Sequence, residues 1–138
     1  MNSKDIVAKY KEKQAAKSFA EIEELVPVAT TKAQLARLWR LLYAKHIGYA
    51  AQVGAKEQGN LIHWNAEFQA DFGVPLGVLL KDMLSHWPDC RKTLIERGSY
   101  KGFEKKVPSI PWLHYHRDVV VEWWVKLHGD ESSHGLKW

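Results

Sequence analysis

Apolar positions recur along this chain at helical rather than strand spacing, and the pattern divides it into short amphipathic segments broken by glycine and proline. The strongest signal in the first half runs from Thr31 to Gly48 (TKAQLARLWRLLYAKHIG), where Leu35, Leu38, Trp39, Leu42, Tyr43 and His46 form one stripe. Thr31 and Gln34 have capping-box spacing, and Gly48 supplies a stop. Upstream, residues 3–17 predict a basic helix or arm with Ile6, Val7 and Tyr10 on one side. Ser18 and Glu21 predict a fresh helix start, with Phe19, Ile22 and Leu25 on one face and Pro27 ending it.

Residues 48–59 carry three glycines without a clear period and predict a loop. A helix over 60–72 turns Leu61, Trp64, Phe68 and Phe72 inward and stops at Gly73. Pro75 then opens LGVLLKDMLSHW, and the two segments joined across FGV have the connectivity of a helix-turn-helix pair. In that pair Lys81, Ser85 and His86 are the candidate groove-reading residues. The second segment is apolar over much of its circumference, which suits a buried helix better. Pro88–Arg97 continues as a short helix. Ser109 and Pro111 then start a last one, ended by Gly129, with residues 130–138 a polar tail. The fold class is therefore all-α or nearly so, with a candidate helix-turn-helix pair and a small β wing near 98–107. The 138 residues form a single helical domain.

Composition adds an aromatic-rich core, since seven tryptophans stand in a chain that is 46% hydrophobic. A single cysteine, Cys90, excludes an intramolecular disulfide and fits a cytoplasmic setting. No stretch reaches the roughly 18 apolar residues of a bilayer span, and the lysine-rich start is no signal peptide. The net charge of +4 tilts the chain towards anionic partners, and its distribution is more telling than its sum.

The segment Lys32–Lys45 carries four positive charges and no acid, with Ala33, Arg37, Arg40 and Ala44 on the side opposite the apolar stripe. Small residues between two arginines leave room for a phosphate backbone; the alternative is a solvated face. From Arg91 to Lys106 there are six basic residues against two glutamates, with Tyr100 and Phe103 among the lysines. Basic side chains neutralise phosphates while exposed rings stack on bases. The candidate nucleic-acid-binding residues are thus Arg37, Arg40, Arg91, Lys92, Tyr100, Lys101, Phe103, Lys105 and Lys106, with DNA favoured over RNA.

Catalytic and metal chemistry finds little support. His114 and His116 in HYHRD are two apart, so on a helix they diverge by about 200° and cannot share a metal. His116 falls on the inward face with Trp112, Val120, Trp123 and Leu127, while His114 lies outward, in line with Asp118 and Glu122. His86 and Cys90 are separated by Pro88 and lack a second ligand pair. No cofactor, metal or catalytic residue is assigned, and a non-enzymatic protein is expected. The succession LARLWRLLYAKH, GAKEQG, FGVPLGVLL and PSIPWLHYHRD, over residues 35–124, resembles small helical proteins of bacteriophages and mobile elements. That resemblance implies a DNA-binding or replication-accessory role. The rival expectation is a protein-interaction module that docks on a host or self-encoded machine, using surplus tryptophans as surface hot spots.

Overall fold

The computed structural model describes residues 3–48, 50–97 and 107–131. Among them are seven α-helices and no strand: α1 (Ser3–Leu25), α2 (Lys32–His46), α3 (Ala55–Phe72), α4 (Leu76–Ser85), α5 (Trp87–Glu96), α6 (Ile110–Tyr115) and α7 (Arg117–Glu131). The expected wing at 98–107 lies, except for Val107, outside the described residues.

Helix α1 corrects the expectation of two segments. Residues 3–25 contain no glycine or proline, and Ala15, Ala16 and Ala20 favour helix through the Ser18 region. Capping-box spacing without a break signal does not start a new helix. Only past Leu25 does the chain turn, through Val26 N–H to the Ile22 carbonyl (2.9 Å) and Ala29 N–H to that of Leu25 (2.8 Å). Ile22 is buried, whereas Phe19, expected on the same face, stands exposed, as does Ile6.

The Thr31 cap forms as the spacing predicts: its Oγ1 accepts from Gln34 N–H at 3.1 Å, while Gln34 Oε1 accepts from Thr31 N–H at 3.3 Å. Leu35, Leu38, Trp39 and Leu42 are buried along α2, but His46, expected within the core, is exposed at its end. Helix α3 starts earlier than expected, at Ala55 behind the Gly54 N-cap, so residues 55–59 are its first turns rather than loop. It stops at Gly73, whose φ of 71° is the left-handed conformation that favours glycine.

Helix α4 is central, packed against α2, α3, α5 and α7. Leu76, Leu79, Leu80, Met83 and Leu84 are all buried. Two side-chain choices set it in place. Pro75 at its N-cap carries no capping group, and the buried Asn65 of α3 supplies one instead, its Oδ1 accepting from Leu76 N–H at 2.9 Å. At Gly77 a Cβ would meet the Val26 carbonyl oxygen at 2.4 Å and Leu38 Cδ2 at 2.9 Å, so glycine permits the close approach of α4 to the α1–α2 connection.

The last expected helix is two. His116, with φ −102° and ψ 24°, separates α6 from α7, and Arg117 Nη1 donates to the His114 carbonyl beside the break at 2.8 Å. Gly129 does not end α7, which continues to Glu131. On its inner side Trp123 Nε1 donates to Asp89 Oδ2 and Trp124 Nε1 to Asp82 Oδ2, both at 2.9 Å. Consecutive indoles thus tie α7 to α5 and α4, and Trp124 also packs edge-on against Phe68 and Phe72. Cys90 is fully buried on α5, and burial pushes its thiol up to about 12.

Candidate nucleic-acid interface

The outward face of α2 carries Ala33, Arg37, Arg40 and Ala44, all exposed, as the periodicity predicts. Arg37 is not a free cation. Its Nε donates to Glu21 Oε2 at 2.7 Å and its Nη2 to Glu21 Oε1 at 3.2 Å, a bidentate pair. The bonded guanidinium holds the Glu21 carboxyl below its usual range. Arg40 instead rests its Nη2 3.4 Å from the Val53 carbonyl, an uncharged acceptor that leaves its charge available to solvent anions.

Beside this face lies a groove of about 410 Å³ between α1 and α2, lined by Ser18, Phe19, Ile22, Leu41, Ala44 and Lys45. Leu41 and Ala44 follow Arg37 and Arg40 by four residues on α2, so the arginines flank the groove along the helix. Phe19, 51% exposed, presents its ring there, with Lys45 Nζ 4.2 Å from the ring centroid. The sequence pattern grouped Phe19 with Ile22 and Leu25 on one helix face and did not single it out as a surface ring. Lys45, whose ammonium sits over that ring, was not among the expected contact residues either.

The end of α2 brings further cations together. His46 is pushed below the ordinary histidine value by burial first, then by Lys45, His86 and Lys81. Lys81 is partly neutralised by Glu23 Oε1 at 3.1 Å, and Ser85 Oγ donates to the Asp82 carbonyl. Of the remaining expected contacts, Lys92 is exposed and Arg91 half-buried, both on α5. They ride on a different helix from Arg37 and Arg40, although α2 and α5 both rest on α4. Tyr100, Lys101, Phe103, Lys105 and Lys106 lie outside the described residues.

A second recess of about 280 Å³ is lined by Trp39, Tyr43, Gln52, Glu57, Pro108 and Pro111 among others. The Glu57 carboxylate in its wall disfavours a phosphate there. Five of the seven tryptophans, Trp39, Trp64, Trp87, Trp123 and Trp124, are buried and Trp112 is half-buried, so the expected surplus of surface indoles is absent among the described residues.

His114 is not the isolated outward residue that helical projection predicts. Its Nε2 lies 2.9 Å from Nδ1 of His63 on α3, and burial followed by Arg117 and His63 lowers it from the ordinary histidine value. No spacing rule links residues 51 apart, which is why this pair was not legible in the sequence. Among the described residues no group of three or more His, Cys, Asp or Glu side chains is placed to hold a metal ion, and no helix is long and apolar enough to cross a membrane. No protein-family model, curated protein or solved structure matches this chain.

Proposed function

We propose that this chain is a non-enzymatic nucleic-acid-binding protein whose phosphate contacts come from the outward face of α2. The observation that carries this reading is the acid-free run Lys32–Lys45, with small residues beside its arginines and the half-exposed Phe19 ring under Lys45 alongside. Arg40, Lys45 and Lys32 neutralise phosphates, Arg37 contributes while shared with Glu21, and Phe19 offers a stacking surface for an unpaired base. The α3–Gly73–α4 connection keeps the order of a helix-turn-helix, yet α4 spends most of its surface on the core, so backbone contact is assigned to α2 rather than to a reading helix. By charge alone, Arg91 and Lys92 on α5, and Lys101, Lys105 and Lys106 beyond it in the sequence, are further candidate phosphate contacts. The resemblance to helical DNA-binding proteins of bacteriophages and mobile elements points the same way.

The test is anisotropy of labelled single- and double-stranded oligonucleotides across a salt series. With about four phosphate contacts on a single strand, affinity falls on the order of 50-fold between 50 and 200 mM salt. Arg40→Ala/Lys45→Ala weakens binding at every sequence tested and flattens that slope, and Phe19→Ala weakens single strands more than duplex. If the folded double variant binds as the parent does, α2 is not the interface. A Lys101/Lys105/Lys106 triple alanine variant with parental binding removes the loop instead.

A second reading, a protein-interaction module, is favoured by one observation: the α1–α2 groove is walled mainly by carbon, from Phe19, Ile22, Leu41 and Ala44. It predicts a partner retained after nuclease treatment and at moderate salt.

A further inference from the structure

We propose that His63 Nδ1 and His114 Nε2 form a two-histidine site for a first-row transition-metal ion of the Zn²⁺/Cu²⁺ class, joining α3 to α6. The two nitrogens stand 2.9 Å apart, with the rings inclined at 67°. Two imidazoles bound to one tetrahedral ion at about 2.0–2.1 Å have their nitrogens roughly 3.3 Å apart. To hold an ion the pair must widen by a few tenths of an ångström, and both rings must pivot so that their lone pairs converge on the metal instead of lying along the N–H···N line. The His63 side chain is 58% exposed and free to make that adjustment.

The groups around the pair are held in place by one arginine. The other nitrogen of His63, Nε2, faces Glu67 Oε2 at 3.9 Å, on the same helix one turn later. Glu67 is in turn fixed by Arg117, whose Nε donates to Oε1 at 2.8 Å and whose Nη1 donates to the His114 carbonyl at 2.8 Å. One arginine thus holds both the carboxylate behind the first histidine and the backbone of the second. A carboxylate that accepts from the outer nitrogen of a ligating imidazole fixes its tautomer and raises its basicity, and Glu67 can do so once the pivoting ring closes the 3.9 Å gap.

Proton accounting closes without loss. In the neutral pair one ring donates its N–H to the other. If His63 is the donor, metal entry moves that proton from Nδ1 to Nε2, towards Glu67, and leaves two lone pairs for the ion. Water fills the remaining positions, since the described residues offer no third ligand. Imidazole ligands select Cu²⁺ over Zn²⁺ and leave Mg²⁺ and Ca²⁺ unbound.

The experiment uses the full chain with CuCl₂, ZnCl₂ and MgCl₂, followed by calorimetry and thermal unfolding. A saturable one-to-one site, tighter for Cu²⁺ than for Zn²⁺, is expected, with the unfolding midpoint rising by about 9 °C at a hundredfold excess over Kd. Paramagnetic resonance of the Cu²⁺ form shows two imidazole nitrogens. His63→Gln lies at the surface and leaves the fold intact, so it serves where His114→Gln perturbs packing; it lowers Cu²⁺ affinity at least tenfold and removes one nitrogen. Unchanged Cu²⁺ binding in His63→Gln, an equal response to MgCl₂, or no saturable binding below about 100 µM Zn²⁺ overturns the site.

Discussion

Single residues decide where the central helix can sit. Gly77 has no conformational reason to be glycine, lying in the first turn of α4 without a positive φ; what excludes a larger residue is the Val26 carbonyl beside the place where a Cβ would stand. Gly77→Ala is expected to cost about 1–3 kcal/mol through overpacking, despite the better helix propensity of alanine. Chemical denaturation measures it, and a stability equal to or above the parent would mean that the α1–α2 connection yields freely. Neither this glycine nor the Asn65 cap on Leu76 was legible beforehand. Both act across elements, on groups 51 and 11 residues away. A sequence reading sees Gly77 only as a weak point in a helix and Asn65 only as a polar residue on an apolar face. The Thr31–Gln34 box was legible because all its partners lie within four positions.

At the scale of elements, the end of α2 meets α4 and the start of α5 with basic groups on each. His46 faces Lys45 from its own helix, Lys81 from α4 and His86 from the junction before α5. Partial loss of hydration, followed by the neighbouring basic groups, holds its folded value below the ordinary one. Its contribution to stability is therefore present above the unfolded value, near pH 6.5, and is lost as pH falls through the folded value. His46→Gln should show a shallower drop in unfolding midpoint between pH 7 and pH 5 than the parent, read by thermal scans at fixed ionic strength. Superimposable pH profiles would show that the repulsion is screened. A bound phosphate at this end of α2 would reverse the effect by favouring the charged imidazole, so nucleic-acid binding is expected to tighten on acidification. Elements were also where periodicity was both most and least informative. The stripe on α2 marked its core face, but one helix was divided at Ser18 and another left undivided at His116. In each case neither glycine nor proline marks the true course of the chain.

At the scale of the molecule, the all-helical architecture of the described residues was legible from period alone, because every long apolar stripe recurs at three and four residues. Which surfaces come together was not. The Arg37 and Arg40 face was foreseen, yet Glu21, sixteen residues earlier, tempers Arg37, and Phe19, grouped by periodicity with Ile22 and Leu25, lines the groove. The tryptophans explain why the interior could be anticipated as aromatic without its connections being known. Trp123 and Trp124 find their acceptors on α5 and α4, at sequence distances of 34 and 42 residues.

The deep placement of Cys90 gives the chain a natural stopwatch. Its lone thiol is fully buried and pushed up to about 12, so at neutral pH neither access nor thiolate is offered by the closed state. Modification by a disulfide reagent must then wait for α5 to part from α4 and α7. With reagent in excess, the labelling rate becomes the opening rate, and at low reagent it reports the opening equilibrium. Parent protein is expected to label at least a hundredfold more slowly than the same chain in denaturant. Gly77→Ala should shorten that time if α4 and α5 open together, and leave it unchanged if α5 opens alone.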